Sequence, residues 1–267
     1  MKKTLHTCFC AALSVILLFS GTVPAFADGT SGYASPEDAV TAYLEAFGNQ
    51  NLDELLAVFG AEYTAGRLDL PKLIERQRMY YYHNDWIADS GKLAEQLNIE
   101  AVRNNAVDII RAHYLILTEA GLFHDDPGKI RQLEDGKSGE ELTASLFATD
   151  DTGYLSDITI AGFLDPALLS ESYASEKNQE VFQEIGAIYG YDEKRSVACL
   201  FTAGGESYVL LIDAGRIGSE WYLTADSSNV AMHLAIDVYW HGMVPLKGSG
   251  LPSPEEILAA AEARKAE

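Results

Sequence analysis

The chain has 267 residues, with 19 Lys and Arg against 40 Asp and Glu, a formal charge of −21. An acid excess this large repels polyanions, so free nucleic acid and an anionic membrane surface are not expected as partners. A composition that is 48% hydrophobic and 22% charged suits a folded globular chain, and three Cys cannot build a disulfide-dense scaffold.

The chain opens on an export signal. Lys2 and Lys3 precede an apolar run from about Phe9 to Phe19, and Ala25-Phe26-Ala27 sets small residues at −3 and −1. Cleavage is predicted between Ala27 and Asp28, which places the protein outside the cytoplasm, secreted or extracytoplasmic. The run is too short for a membrane span, which takes ~20 apolar residues. Cys8 and Cys10 leave with the signal, and neither follows a Leu-Ala-Gly lipobox. Cys199 then remains alone, in an apolar stretch that reads as a buried strand. The lysine-led signal and the absence of Cys pairs suit a bacterial source.

Residues 28–35 read as a short leader. Ser35-Pro36-Glu37-Asp38 is a helix start, with Ser as N-cap, Pro at the first helical position and acids in the first turn. Ala39, Val40, Tyr43, Leu44, Ala46 and Phe47 give the apolar stripe. Asn51-Leu52-Asp53-Glu54 opens a second helix through Phe59, ended by Gly60. A third helical region is predicted from Leu70 to about Ala88. Leu97 to Val102 alternates like a strand, Arg103-Asn104-Asn105 reads as a turn, and Ala106 to Thr118 reads as a long strand.

Residues 119–153 hold several Asp-Gly and Asp-Pro signals and read as loops with short elements. Ser156 to Phe163 is a predicted strand, and Asp165-Pro166 begins a broken helical segment through Tyr189. Ser196–Thr202 and Ser207–Asp213 read as a hairpin around Gly204-Gly205, followed by a strand at 220–223. Residues 229–241 fit helix or strand. Gly248 to Pro254 is a linker before a polar helix at 255–266. Helices first and strands afterwards argue α+β. The expected domains are a signal at 1–27, an α+β body at 28–246 with an insertion around 119–195, and a linker with a polar helix at 247–267.

The paired N-terminal helices, Ser35 to Phe47 and Asn51 to Phe59, with the late hairpin and Glu220-Trp221-Tyr222-Leu223, resemble the NTF2-like superfamily. The resemblance covers residues 35–60, 97–118 and 196–224. It implies a cone: N-terminal helices packed on a curved antiparallel sheet around a pocket. It implies no single activity, since members include isomerases, dehydratases and non-catalytic binders.

Isomerase-type members use a carboxylate base with a Tyr in the oxyanion hole, and dehydratase types a His–Asp pair. The nearest match in residue type is Tyr80-Tyr81-Tyr82-His83-Asn84-Asp85-Trp86. On a helix Tyr81 and Asp85 share a face, as do Tyr82 and Trp86. Tyr81, His83, Asp85, Trp86 and, from the sheet, His113 are therefore the candidate pocket residues. In an enzyme, Asp85, His83 or His113 would be the base and Tyr81 the oxyanion donor. Aromatic core packing is the competing reading of the same residues.

His233, Asp237 and His241, spaced by four, would line one helical face as a weak divalent site. His124-Asp125-Asp126, Asp135 and Asp150-Asp151 lack calcium-loop spacing and read as solvated turn acids. No phosphate loop, nucleophile elbow or Cys-x-x-Cys pair occurs. The expectation is a non-catalytic module with no metal or cofactor. Its partner would be a small apolar or amphipathic ligand, another protein, or a second copy through the sheet. A ketosteroid-isomerase or dehydratase type of enzyme is the alternative.

Overall fold

The computed structural model describes residues 32–79, 86–87, 91–118, 132–133, 135–146, 153–236 and 241–247. The signal at 1–27, most of the leader, the 248–254 linker and the polar helix at 255–266 lie outside them.

Capping fixes the N-terminal helices. Helix α1 (Pro36–Gly48) starts where the Ser35 hydroxyl accepts the Asp38 N–H at 3.0 Å. Its inward face buries Ala39, Val40, Tyr43, Leu44, Ala46 and Phe47. Helix α2 (Leu52–Ala57) starts at Asn51, whose Oδ1 accepts from the N–H groups of Asp53 and Glu54. Gly60 then turns the chain at φ +54° into α3 (Ala61–Thr64). A Cβ there would stand 2.2 Å from the Tyr222 ring, so both the backbone and the packing require glycine. Helix α4 (Leu70–Gln77) is capped by Asp69 and ends at Arg78, φ +58°. It stops well short of Ala88.

Residues 97–102 and 106–118 are not strands. They belong to one helix, α5 (Lys92–Thr118), about 40 Å long at 1.5 Å per residue. Its buried residues Ala106, Ile109, Ile110, His113, Ile116 and Leu117 recur at three and four, the helical spacing. Asn104 and Asn105 are exposed within it and make no turn. The Val and Ile content suggested a strand, but the tertiary stripe outweighs that weak propensity. After α6 (Gly139–Leu146) and a 3₁₀ turn (Gly153–Asp157), the chain enters the sheet.

Among the described residues, five antiparallel strands make a curved, open sheet in the order β1-β2-β3-β4, with β5 also on β3. Strand β1 is Thr159–Leu164, β2 Glu193–Ala203, β3 Glu206–Ile217, β4 Glu220–Leu223 and β5 Met243–Pro245. The β2–β3 hairpin turns on Gly204 and Gly205, both at positive φ, with Ala203 opposite Glu206. That is the two-residue turn whose twist matches the strands. Edge strand β1 carries a register shift between Ile160 and Gly162. Tyr33 of the leader is tied to Trp221 of β4 by a pair of backbone hydrogen bonds.

Both faces of the hairpin are covered. On one face Val197, Cys199, Phe201, Leu210 and Ile212 pack with residues of α1 and α5. On the other, Ala198, Leu200, Val209 and Leu211 pack beneath a second helical layer. That layer comprises α7 (Pro166–Leu169), α8 (Glu171–Ala174), α9 (Glu176–Ile188) and α10 (Asn229–His233). Cys199 is a buried free thiol, and burial pushes its pKa up to about 12. It is therefore a poor nucleophile. No helix among the described residues is long and apolar enough to cross a membrane.

Replacing Gly60 by Ala is expected to cost about 2–4 kcal/mol, from positive-φ strain and overpacking on Tyr222. Gly66→Ala, which meets open space, is expected to stay within about 0.5 kcal/mol of the parent. Urea denaturation of the two variants beside the parent checks both.

Candidate functional site

A cleft of about 560 Å³ opens between α1, α2 and α5. The end of α1 gives it Phe47, and α2 gives Leu52 and Leu55. Helix α5 adds Ile110, Tyr114 and Leu115, and the 3₁₀ turn adds Leu155. Its polar lining residues are Gln50 and Arg111. The volume and the aliphatic and aromatic walls suit a small apolar molecule. The cleft exists because α1 ends at Asn49 and the chain reverses through Gln50, at φ +53°, before α2.

His113 is on α5, not on a strand as the sequence suggested, and it is fully buried beside the cleft without lining it. Its Nε2 lies 3.0 Å from the His241 carbonyl oxygen and its Nδ1 2.8 Å from the Tyr43 hydroxyl. A carbonyl only accepts, so Nε2 carries the proton, and Nδ1 accepts from the Tyr43 O–H. Burial lowers the His113 pKa to about 3 and raises that of Tyr43 well above its ordinary value. The imidazole is neutral with both nitrogens engaged. It ties α1, α5 and the segment before β5 together, and in this arrangement it offers no free base.

The other sequence candidates fall elsewhere. Tyr81, His83 and Asp85 lie outside the described residues. Trp86 is half-buried and does not line the cleft. Its neighbour Ile87 is held to α5 by Asn98, which bonds both its N–H and its carbonyl at 3.0 Å. The face of His233, Asp237 and His241 does not form as one helix. Helix α10 ends at His233, Ala235 follows at φ +55°, and His241 stands at φ +45°. Asp237 is outside the described residues, as are His124, Asp125, Asp126, Asp150 and Asp151. Asp135 is an exposed turn residue. Among the described residues no three His, Cys, Asp or Glu gather as a metal site.

A charged cluster that sequence reasoning missed sits under the second helical layer. Lys194 and Asp213 are almost wholly buried, with Lys194 Nζ 3.7 Å from Asp213 and 2.5 Å from Asp226. Asp213 also accepts from the Ser196 hydroxyl at 2.6 Å and from the Asn229 N–H at 3.1 Å. Burial raises the Asp213 pKa to about 6 against the pull of Lys194. Burial opposes the charge on Lys194, yet Asp226 and Asp213 together raise its pKa. Lys194 also stands over the Phe182 ring at 5.2 Å. The one signal in the sequence was a lone carboxylate inside the apolar strand Tyr208–Ala214.

No family model matches the chain, and no curated protein matches it. Among solved structures, it is similar to a cystatin-like protein from Ruminococcus gnavus, at 15% identity and a TM-score of 0.45. That match covers 87% of this chain and 44% of the other, so the chain spans less than half of that protein's length.

His113 sets a pH dependence. Unfolded His protonates below about pH 6.5, whereas buried His113 stays neutral down to about pH 3. The unfolded state binds the extra proton in that window. The His113 contribution is therefore full above pH 6.5 and is lost as pH falls toward 3. The stability of the parent relative to His113→Gln is expected to fall by about 1 kcal/mol per pH unit below 6.5. Urea titrations at pH 8, 6.5, 5.5 and 4.5 measure it; a pH-independent difference would show that His113 titrates normally in the fold.

Proposed function

We propose that this is an exported, NTF2-like protein that binds a small apolar ligand in the cleft between α1, α2 and α5, and that this cleft holds its ligand without reacting with it. One observation carries the reading: the cleft is walled by aliphatic and aromatic side chains, and among the described residues no carboxylate or imidazole lines it. Acid–base catalysis needs a titratable group within hydrogen-bond reach of the reacting atom. His113, the described candidate nearest the cleft, spends both ring nitrogens on Tyr43 and His241. The isomerase and dehydratase readings are left without a described base at this site.

The signal sequence supports export, and the −21 charge supports a partner that is neither a nucleic acid nor an anionic surface. Self-association through the central sheet faces meets helices on both sides. A second copy would have to meet the sheet at an edge such as β1. The apolar ligand is therefore the better supported partner.

The test uses the secreted protein and N-phenyl-1-naphthylamine, a neutral probe that fluoresces in apolar surroundings. Leu52→Glu and Tyr114→Glu each place a carboxylate at a partly exposed wall position, where the fold tolerates it. Saturable fluorescence is expected in the parent, with affinity at least about tenfold weaker in each variant, a loss of 1.4 kcal/mol or more. Equal binding by all three proteins would move the site elsewhere. Absence of binding in the parent would remove this reading.

A further inference from the structure

On the opposite helical layer, three side chains from separate helices meet. Ser172 is on α8, Asn178 on α9 and His233 at the end of α10. Ser172 Oγ lies 2.9 Å from His233 Nδ1, and His233 Nε2 lies 2.9 Å from Asn178 Oδ1.

The surrounding hydrogen bonds fix the roles. The amide nitrogen of Asn178 donates to the Tyr173 carbonyl at 2.8 Å and to Asn229 Oδ1 at 2.9 Å. Its Oδ1 must then face His233 as an acceptor. Nε2 of His233 therefore carries the proton, and Nδ1 presents a lone pair to Ser172. The Ser172 hydroxyl donates to that lone pair. Ser170 Oγ, 2.9 Å from Ser172 Oγ, is left to donate to it, while itself accepting the Tyr173 N–H.

The arrangement is anchored from below. The Asn229 N–H is held by buried Asp213, and the Tyr173 ring stands edge-on to the imidazole at 6.3 Å. Ser172 is exposed and His233 half-buried. The hydroxyl is thus reachable, its base is in contact, and the base is oriented by a third group that is itself fixed. Those are the geometric requirements for an activated nucleophile.

We propose that Ser172 and His233 form an acyl-transfer centre, with Asn178 as its positioning residue, acting on small neutral carboxylic esters. Ser172 Oγ bonds to the ester carbonyl carbon, and its proton passes to His233 Nδ1. The carbon–oxygen bond to the alcohol breaks, and the alcohol leaves with that proton. Water, deprotonated by the same Nδ1, then attacks the acyl-serine, and Ser172 leaves with the returned proton. Neutral esters fit a chain of −21 charge, which disfavours anionic substrates. Esters fit better than amides because an alkoxide leaves with less help than an amide nitrogen.

The secreted protein is treated with a fluorophosphonate probe, the adduct is mapped by peptide mass, and p-nitrophenyl acetate turnover is followed. An adduct on Ser172 is expected. Labelling should slow at least about 100-fold in His233→Gln and vanish at this position in Ser172→Ala. Asn178→Ala should lower kcat and leave KM near the parent value. Ser172→Ala removes only a hydroxyl from an exposed position, so a change there does not reflect unfolding. The idea is overturned if Ser172 takes no adduct, or if His233→Gln labels at the parent rate. It is overturned equally if ester turnover is unchanged in Ser172→Ala, which would assign that turnover to imidazole alone.

Discussion

The structure depends on a hairpin that is apolar on both faces. Most antiparallel sheets bury one face and wet the other, so their strands alternate. Here β2 and β3 are buried almost continuously, from Ser196 to Phe201 and from Tyr208 to Ala214. Leaving either face in water would expose a row of Leu, Val and Ile. The chain therefore has to supply helices twice, α1 and α5 to one side and α7 to α10 to the other. The same constraint explains the charged cluster. Lys194 and Asp213, carried on these strands into the covered region, have no water to solvate them. They survive as ions only by meeting each other, Asp226, Ser196 and Asn229.

Two covering layers produce two kinds of surface. On the α5 side, long helices cross and leave an apolar cleft where α1 gives way to α2. On the other side, short helices end often, and each end brings capping residues and polar side chains close together. Ser170, Ser175 and Ser228 all cap helices in this layer. The layer is thus rich in hydroxyl and amide groups, and its hydrogen bonds run inward to Asp213. The apolar side favours holding a molecule, and the polar side favours chemistry on one.

Much of the fold was legible where local signals are strong. Ser35-Pro36 and Asn51 announced α1 and α2, Gly204-Gly205 announced the hairpin, and Asp165-Pro166 announced a broken helical run. Helix α5 was misread because Val, Ile and Tyr crowd residues 102–116, and β-branched content masked the stripe at 106, 109, 110, 113, 116 and 117. The sites were less legible for a different reason. Tyr43 and His113 are 70 residues apart, and Ser172 and His233 are 61 apart. No local pattern encodes such pairs; they exist only once the sheet has been covered. His113 was picked out as a pocket residue on a strand, a placement that followed from the misread helix; it is buried on α5 and does not line the cleft.

His113 and Asp213, two buried groups on opposite sides of one sheet, contribute to the pH dependence with opposite sign. His113 is buried neutral, so acid favours the unfolded state, where imidazole is charged. Asp213 behaves in the opposite sense. Its folded pKa of about 6 lies above the ordinary carboxylate value, so between roughly pH 6 and 4 the folded state binds the extra proton. Acid therefore removes the His113 contribution while relieving the cost of burying Asp213. The two slopes oppose each other over the same window, and their sum is flatter than either. Each group was placed by the same demand, that both faces of the hairpin be dry. The demand that fixes the fold thus places two buried groups whose responses to acid have opposite sign.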